Sequence, residues 1–385
     1  MRVLIVAHYI LPHVGGVEQL VHLEAQALAD SGHEVLIVAS DGSGAGENPA
    51  YPRQVRIQRV PAWHGLEKHW RVPYPLFSPG LLSVLRDAVR WADLVHAHGC
   101  LFLATPVALL WAKQFGKPGL LTDHGGLQHF RSLSKRCLAQ LGLHTLGRCS
   151  CRWASDLVAY NARVQAELMR LAGKPVRFLP NPIRRDLFRP PSRIERQQAR
   201  LRLGWNDGRP RLLFVGRLVP EKGVAHLLEI ASPEWEIVFC GPGQKHWPQL
   251  GNHPHVRYLP ARPQAELISL YHAADVLVLP SAVREGFPLV VQEALACGLP
   301  VVLGEDPGFQ PYRDWPGLYL TSPQPAQLRV AVKRALADGS PTNHPDYWNA
   351  LDRFCPAPQQ WLAQLLAPYT SAARNHGRIT ATDKA

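Results

Sequence analysis

The stretch from 276 to 303 constrains the fold of this chain more than any other. It reads VLVLPSAVREGFPLVVQEALACGLPVVL, in which two short apolar runs are separated by a loop, a helical segment and a glycine. Short apolar runs of this kind are typical of buried strands in parallel sheets. We predict one strand at 276–279 and a second strand at 301–303, at the end of the stretch. The helix between them is predicted to begin near Phe287 or Pro288 and to end at Gly298.

The alternation of apolar run, glycine turn and helix occurs twice more. RVLIVA at 2–7 leads to Gly15 and Gly16 and then to a helix, and RLLFV at 211–215 leads to GRLVPEKG. Each of these two segments predicts the start of a doubly wound α/β domain, and 385 residues are enough for two such domains. The predicted parts are a first domain at 1–190, a second at 191–345, a helical segment at 346–369 and a flexible polar tail at 370–385.

The composition of the chain limits the kinds of partner and the cellular compartment that we expect. The net charge of +12 predicts an anionic partner, such as the phosphates of a nucleotide sugar, an anionic membrane surface or a nucleic acid. No nucleic-acid recognition motif is present, so we expect no nucleic-acid partner. The seven cysteines form no disulfide or zinc pattern, and every apolar run is too short to span a membrane. We therefore expect a cytoplasmic protein.

Two carboxylates lie in the opening stretch, Glu285 and Glu293. Eight residues of helix span about 12 Å, whereas a carboxylate pair acting on one glycosidic bond lies about 5–10 Å apart. The pair could instead hold the two ends of one long ligand, with the helix N-terminus between them suited to phosphate. The alternative is an ordinary βαβ unit with two solvated glutamates.

Three motifs carry a resemblance to a known family. EGFPLVVQEA at 285–294 resembles the E-x7-E signature of retaining, nucleotide-sugar-dependent glycosyltransferases of family 4. GGVE at 15–18 and GRLVPEKG at 216–223 resemble the family's G-G-x-E and G-R-L-x-x-x-K-G runs. The resemblance covers about residues 1–305. It implies the GT-B fold, an α/β architecture in which two Rossmann-like doubly wound domains face each other across a cleft. The first domain would be the acceptor side and the second would bind the nucleotide sugar. The helical segment at 346–369 would cross back to the first domain.

The resemblance also implies roles for individual residues in donor binding. Glu293 would hold the ribose hydroxyls, and Glu285 would bond the donor sugar and support positive charge at its ring. Arg217 and Lys222 would stabilise the leaving diphosphate, because cationic donors compensate the charge that develops there. The further donor contacts are Gly15, Gly16, Gly286, Phe287 and Pro288.

The remaining candidates lie outside these motifs. His124 follows the predicted strand 118–122, at the sheet edge where ligands bind, and by resemblance it would meet the donor sugar and phosphate. His98 is expected to be structural. Glu18 is a candidate for the acceptor side, and Arg262 could stack on the nucleotide base. No D-x-D metal motif is present, so we expect no metal and no cofactor.

A basic segment offers a possible membrane contact. No acidic residue lies between Asp123 and Asp156, and Arg131 and Lys135 are four residues apart. The segment could lie on an anionic membrane or admit a lipid-diphosphate acceptor. The alternative is a helix with one buried stripe and solvated charges. The resemblance weakens at Arg184, where the family usually has an aspartate, and it fades after residue 303.

Together these features predict a metal-independent, retaining glycosyltransferase of the hexosyltransferase class. The predicted reaction moves a sugar from a UDP- or GDP-sugar to a glycan or lipid-linked acceptor in cell-surface, extracellular or lipopolysaccharide biosynthesis, with peripheral contact at the inner face of the membrane. The alternatives are a GT-B phosphorylase, a nucleotide-sugar epimerase or a non-catalytic GT-B-like partner subunit. The complete set of motif residues argues against the last.

Overall fold

The computed structural model describes residues 1–13, 15–42, 51–70, 72–125, 133–244, 247, 250, 253–281 and 286–382. The chain forms two compact units, Met1–Pro182 together with Ala357–Ala385, and Ile183–Pro356. It therefore leaves the first unit, builds the second and returns to the first. The N–H of Ile183 donates to the carbonyl of Pro356 at 3.0 Å, so the two ends of the second unit lie side by side.

A seven-stranded parallel sheet forms the centre of the first unit, and a two-stranded antiparallel ribbon accompanies it. The strands are β1 (Arg2–Val6), β2 (Glu34–Ser40), β3 (Val55–Val60), β4 (Ala62–Trp63), β5 (Leu76–Phe77), β6 (Leu94–His98), β7 (Gly119–Asp123), β8 (Asp156–Ala159) and β9 (Arg177–Phe178). The sheet order is β3-β2-β1-β6-β7-β8-β9, and β4 pairs with β5. The order changes direction between β1 and β6, which makes this pair the switch point of the sheet.

Helices cover both faces of this sheet. They are α1 (Gly16–Asp30), α2 (Gly65–Trp70), α3 (Leu81–Trp91), α4 (Ala104–Gln114), α5 (Leu133–Gly142), α6 (Arg148–Trp153) and α7 (Ala162–Ala172), with a π-helical segment at Leu143–Gly147. The alternation of side chains along β1 separates two cores: Val3 and Ile5 belong to one, Leu4 and Val6 to the other.

The second unit has a six-stranded parallel sheet of the order β12-β11-β10-β13-β14-β15. Its strands are β10 (Arg211–Val215), β11 (Glu236–Cys240), β12 (Val256–Leu259), β13 (Val276–Leu279), β14 (Val301–Gly304) and β15 (Leu318–Thr321). Its helices are α8 (Arg193–Arg202), α9 (Val224–Glu229), α10 (Gln264–Ala273), α11 (Leu289–Ala296), α12 (Pro325–Asp338) and α13 (Tyr347–Phe354), and 3-10 turns lie at Pro220–Lys222, Pro307–Tyr312 and Pro341–Asn343. Here the switch point lies between β10 and β13.

The last helix, α14 (Pro358–Thr382), belongs to the first unit. It completes the core that contains Val3 and Ile5 with the apolar side chains of Trp361, Leu362, Leu365 and Leu366. Arg177 on β9 donates to the carbonyls of Gln364 and Leu365 at 3.0 and 3.1 Å. The helix continues through most of the stretch predicted as a polar tail.

The prediction of two doubly wound parallel sheets is confirmed. The unit division at Pro182 precedes the predicted domain boundary at 190. Within the described part of the chain, no helix combines the length and apolar character that crossing a bilayer requires.

Candidate active site

The switch point of the second unit brings two motif loops together. After β10 the chain runs from Gly216 through Arg217 and the turn Pro220–Lys222 to Gly223. After β13 it runs from Pro280 toward α11. Residues 282–285, and with them the predicted Glu285, lie outside the described residues. In open α/β sheets ligands bind at the carboxyl ends of strands beside the switch point, so these loops flank the expected ligand position.

Gly223 marks where the two loops meet. Its φ of +78° lies in the left-handed region, and a Cβ there would lie 2.2 Å from the carbonyl oxygen of Pro280. A side chain at this position would therefore be strained and would also displace backbone. The glycine at the end of the GRLVPEKG run thus has a local structural requirement.

The N-terminus of α11 follows the second motif loop. The helix begins at Leu289, and Pro288 at the N-cap provides no side-chain hydrogen bond to the first turn. Within the described residues, the first N–H groups of the helix therefore have no side-chain cap, and they lie at the positive end of the helix dipole. Gly286 and Pro288 are partly exposed. Such a helix end suits a phosphate group.

Phe287 anchors this loop to the core of the second unit. Its side chain is buried and stacks on Tyr312 with ring centroids 3.8 Å apart, and the ring of Phe309 meets it edge-on at 5.4 Å. Any contact that Phe287 makes with a donor would therefore come from its backbone, while its ring fixes the position of Pro288.

Glu293 on α11 is held by two side chains that the motif search missed. Its Oε1 accepts from Gln264 Nε2 at 2.6 Å and its Oε2 from Tyr271 Oη at 2.7 Å. Burial raises the pKa of Glu293 against the opposing effect of these bonds, and the residue is only 3% exposed. Each carboxylate oxygen has a second lone pair, so the group can still accept from a ligand hydroxyl.

The cationic candidates differ in their surroundings. Arg217 is exposed and forms no ion pair among the residues that the structure describes, so its guanidinium is available to an anion. Lys222 is partly buried. Arg262 Nη1 lies 3.3 Å from Glu266 Oε2, an exposed i,i+4 pair on the edge of α10 that would have to rearrange to stack on a base.

In the first unit, four residues form what we call the inner cluster: Glu24, His96, His98 and His124. His96 Nδ1 lies 2.5 Å from Glu24 Oε1, and His98 Nε2 lies 3.0 Å from Glu24 Oε2. His98 Nδ1 is hydrogen-bonded to His124 Nε2 at 2.8 Å, and the two rings stack. The cluster thus connects α1, β6 and the end of β7.

Burial and mutual contact set the charges in the inner cluster. Burial acts to raise the pKa of Glu24, but His96 and His98 outweigh it and bring the pKa to about 2. Burial lowers the pKa of His98, and the neighbouring His96 adds to that effect. Burial and the adjacent histidines hold the pKa of His124 well below its usual value. The cluster therefore contains an anionic Glu24 beside neutral His98 and His124 rings.

The same residues could be considered as a metal centre, since ligand atoms of Glu24, His96 and His98 lie within 4.8 Å of one another. However, the 2.5 Å separation of Glu24 Oε1 and His96 Nδ1 is that of a direct hydrogen bond. The other ring nitrogen of His96 lies 2.8 Å from Thr122 Oγ1. Glu24 Oε1 and both ring nitrogens of His96 are therefore hydrogen-bonded, whereas Glu24 Oε2 and His98 Nε2 lie 3.0 Å apart without hydrogen-bond geometry. We interpret the cluster as a network of ion pairs and hydrogen bonds.

A second group, the outer cluster of Tyr9, His13, Glu18 and Glu67, lies beside the N-terminus of α1. His13 Nδ1 is 2.8 Å from Glu18 Oε1 and its Nε2 is 2.9 Å from Glu67 Oε1. Tyr9 stacks on the His13 ring at 4.1 Å. Burial lowers the pKa of His13, but the bonds to the two glutamates outweigh it, so its pKa is raised.

The outer cluster explains the glycine before α1. Gly15 has an extended backbone (φ −171°), and a Cβ there would lie 2.2 Å from Glu18 Oε2. The Glu18 side chain therefore folds back over the start of its own helix. Because a carboxylate already lies at this helix end, it is less suited to phosphate than the open end of α11. Gly16 is exposed.

Gly15, Glu18 and His124 are predictable from a motif or from a strand end, but the residues around them carry no such pattern. These residues are Glu24, His13 and Glu67. Glu24 lies on the buried stripe of α1, where a charged residue requires a partner, and this was the available signal.

Comparison with known proteins supplies the family. Residues 195–349 match the family described as Glycosyl transferases group 1, and residues 14–187 match Glycosyltransferase Family 4. A GDP-mannose-dependent alpha-mannosyltransferase of Mycolicibacterium smegmatis is 30% identical over 318 residues, which cover 78% of this chain and 79% of the relative. A GDP-mannose:cellobiosyl-diphosphopolyprenol alpha-mannosyltransferase of Xanthomonas oryzae pv. oryzae is 27% identical over 332 residues, with 80% of each chain covered.

Solved structures show the same fold. The crystal structure of Anabaena Alr3699/HepE in complex with UDP superimposes with a TM-score of 0.77 at 20% identity, covering 96% of this chain and 100% of that chain. At this level of identity the likeness concerns the fold alone.

Proposed function

The chain belongs to the group 1, family 4 glycosyltransferases with the GT-B fold, and from this premise we propose that it transfers a hexose from a GDP- or UDP-sugar to a glycan or lipid-linked acceptor. That it is a nucleotide-sugar-dependent glycosyltransferase follows from its family. The donor, the acceptor and the residue roles are our proposal.

The observation that carries the proposal is the switch point of the second unit. There Gly223 lets the loop after β10 approach Pro280, and no side chain of the described residues caps the N-terminus of α11. A nucleoside diphosphate has two phosphates for a helix end and a nearby cation, and a ribose whose hydroxyls can bond a carboxylate. We assign the diphosphate to the α11 N-terminus with Arg217 and Lys222, and the ribose to Glu293.

The chemical role of this arrangement is stabilisation of the leaving group. As the bond from the sugar to the diphosphate breaks, negative charge grows on the phosphate oxygens. Fixed N–H groups and the cations of Arg217 and Lys222 stabilise that charge more in the transition state than in the bound donor. We propose that no metal is needed and that the anomeric configuration is retained by same-face attack, with the leaving phosphate accepting the proton of the acceptor hydroxyl.

GDP-mannose is the first donor to test, because two of the relatives are named for it. UDP-glucose is the second, because Alr3699/HepE has also been solved with it. For the acceptor, the Xanthomonas relative is named for a diphosphopolyprenol-linked disaccharide. This supports a lipid-linked glycan as the acceptor and a role in cell-surface polysaccharide assembly.

Peripheral membrane contact remains part of the proposal. Residues 126–132 of the basic segment, including Arg131, lie outside the described residues, as does the side chain of Lys135. The described helices α5 and α6 lie within the segment, and Leu141 on α5 is 60% exposed. Flotation with liposomes that contain or lack anionic lipid tests this contact. Equal recovery with both compositions would argue against it.

The donor site is tested by thermal unfolding with GDP, UDP, GDP-mannose and UDP-glucose in EDTA. A ligand that binds only the folded protein at 100 times its Kd adds about 2.7 kcal/mol to the free energy of unfolding, which raises Tm. We expect a shift with one base, reduced in Arg217→Ala and Glu293→Gln. The matched control is Arg334→Ala, which removes an exposed arginine from α12.

Transfer of label from the shifting donor to a glycan or lipid-linked acceptor, in EDTA, completes the test. A strict divalent-metal requirement would contradict the metal-free site. Phosphate-dependent release of a sugar 1-phosphate would favour the phosphorylase, and an altered free nucleotide sugar would favour the epimerase. No nucleotide binding at all would favour a non-catalytic subunit.

A further inference from the structure

A tryptophan on the surface of the first unit has no role in the donor site. Trp63 lies on β4, in the antiparallel ribbon that this strand forms with β5, and the residue is 56% exposed. Leu76, its partner across the ribbon, is 41% exposed. A large aromatic side chain that is left in water beside a second apolar residue is a candidate contact for a ligand.

The indole ring of Trp63 rests on Gly65. A Cβ on Gly65 would lie 2.4, 2.0 and 2.5 Å from the consecutive ring atoms Cε2, Cζ2 and Cη2 of Trp63. Because the two outer distances exceed the middle one by so little, this Cβ position lies above the ring plane and not beyond the ring edge. One face of the indole therefore packs on the backbone of Gly65, and the opposite face is directed outward.

Asp41 fixes the chain on both sides of this ring. Its Oδ1 accepts from the Ala62 N–H at 3.0 Å and lies 3.0 Å from His64 Nε2, so the residues before and after Trp63 are bonded to the same oxygen. His64 Nδ1 lies 3.1 Å from the Tyr9 hydroxyl, which connects the ribbon to the segment after β1. The indole is therefore held in place before any ligand binds.

Asp41 also provides a charged acceptor beside the ring. Burial acts to raise the pKa of Asp41, but the bonds from His64 and from the Ala62 N–H outweigh it, so the pKa is lowered and the carboxylate is ionised at neutral pH. Its side chain is 45% exposed. Each carboxylate oxygen has two lone pairs, so Asp41 can accept from a ligand hydroxyl while it keeps its bonds to residues 62 and 64.

An outward aromatic face beside an ionised carboxylate suits a sugar ring. The face of an aromatic ring is negative and attracts the weakly positive C–H groups of a pyranose, and the carboxylate accepts from its hydroxyls. We propose that Trp63, Gly65 and Asp41, which we call the indole platform, bind one β-linked, glucose-type pyranose of the acceptor glycan, stacked on the outer face of the indole. This inference rests on the proposed function, and all residues of the indole platform belong to the first unit.

The chemistry of the indole platform selects among ligands. A pyranose whose ring substituents are all equatorial, such as β-linked glucose, presents only C–H bonds on each face and can lie flat on an indole. An axial hydroxyl on the stacked face would hold the ring away from it. The charge bonded to the residues that flank Trp63 is negative, which disfavours an anionic lipid surface there. Lys68 on α2 is exposed, so lipid binding is the alternative that the test separates.

Sugar binding is tested by fluorine NMR of the full chain, with 5-fluorotryptophan at its 11 tryptophan positions. The Trp63 signal is identified by its loss in Trp63→Phe. The control is Trp348, which is 51% exposed on α13 and is identified in the same way. We expect cellobiose to shift the Trp63 signal and not the Trp348 signal, and α-1,2-mannobiose, whose 2-hydroxyl groups are axial, to shift it less.

Three results of this experiment would overturn the proposal. The first is a Trp63 signal that cellobiose does not shift, and a response to anionic vesicles alone would then assign the surface to a membrane. The second is an equal shift of the Trp63 and Trp348 signals, which would mean that the sugar acts on any exposed indole. The third is an equal or larger shift with mannobiose, which would exclude a glucose-type ring.

Transfer kinetics with octyl β-cellobioside as acceptor give a second test. We expect Trp63→Ala to raise KM for this acceptor about tenfold, the effect of losing one aromatic contact, with kcat and the KM for the donor unchanged. Trp63→Tyr should keep most of the affinity, and Trp348→Ala should change none of these constants. An unchanged acceptor KM in Trp63→Ala would overturn the subsite. If the wild-type protein transfers no sugar from GDP-mannose or UDP-glucose, the proposed function fails, and the NMR result still decides whether Trp63 binds a sugar.

Discussion

Glu24 and Glu67 are both glutamates that contact histidines of the first unit, yet they leave those histidines in opposite states. In the inner cluster one buried carboxylate contacts two rings, and burial keeps His98 and its neighbour His124 neutral. In the outer cluster two carboxylates contact one ring, and together they raise the pKa of His13. The difference shows that two factors decide the charge of a histidine in these clusters: the number of carboxylates for each imidazole ring, and the burial of the ring.

The two clusters should respond to pH in opposite directions. The lowered pKa of His98 and of Glu24 means that the inner cluster favours the folded state at high pH and loses that contribution as the pH falls. The raised pKa of His13 means that the outer cluster stabilises fully below the unfolded-state value near 6.5, and that this stability is lost as the pH rises through the folded-state pKa.

The largest difference between the two clusters is expected in the stability lost when each glutamate is replaced by alanine. Glu24→Ala leaves two buried rings without their acceptor and should lower the free energy of unfolding by about 3–5 kcal/mol. Glu67→Ala removes a carboxylate that is 35% exposed and should cost about 1 kcal/mol or less. Urea unfolding at pH 7 measures both. Similar losses would mean that burial does not distinguish the clusters.

The next largest effect is expected from the inner cluster, in the dependence of the free energy of unfolding on acidic pH. Below the usual histidine pKa, His98 binds a proton in the unfolded chain but stays neutral in the folded protein. The free energy of unfolding therefore falls by about 1.4 kcal/mol for each pH unit. Unfolding between pH 7 and 5 should therefore be less steep in pH for His98→Asn than for the wild type. Arg334→Ala serves as the control with an unchanged slope. The same slope in all three proteins would remove His98 from the acid response.

A smaller effect is expected from the outer cluster, whose local stability should fall as the pH rises. As the pH rises, His13 loses its charge, and its bonds to Glu18 and Glu67 weaken by about 0.5–1 kcal/mol. Hydrogen exchange of α2, corrected for the intrinsic pH dependence of exchange, should show falling protection in the wild type. In His13→Gln the corrected protection should not depend on pH, and the same fall in that variant would contradict this role of His13.

The smallest effect is expected from Gly15→Ala. The extended backbone accepts alanine, but its methyl group would displace the flexible end of Glu18 from His13. We expect a loss of about 0.5 kcal/mol, comparable with an exposed ion pair, and a lower pKa of His13 by NMR titration. The inner-cluster histidines should keep their signals. An unchanged His13 pKa would mean that Glu18 contributes little to its charge.

The sequence predicted the buried parallel strands and the glycine turns because these follow from local patterns. The partners of the charged residues could not be predicted in the same way. Glu24 and His96 are separated by 72 positions in the chain, and only the pairing of β1 with β6 brings α1 and His96 together.

The same reason applies to Glu293. Its conspicuous spacing from Glu285 identified it, but Gln264 and Tyr271 carry no motif of their own, and they reach Glu293 only through the packing of α10 against α11. Patterns in sequence therefore located the groups with potential chemistry, while their charge states depend on contacts between distant segments.

The return of the chain to the first unit has a consequence for biosynthesis. On the ribosome, the sheet of the first unit is complete when residue 182 has emerged, but the helix that covers the Val3 and Ile5 face is made only after the entire second unit. At typical translation rates this interval lasts roughly 10 to 35 seconds. During that time the part of this face that α14 covers beside α1 stays exposed, which makes the nascent chain a natural client for chaperones. The second unit, in contrast, is one continuous segment that can close its core as soon as it is synthesised.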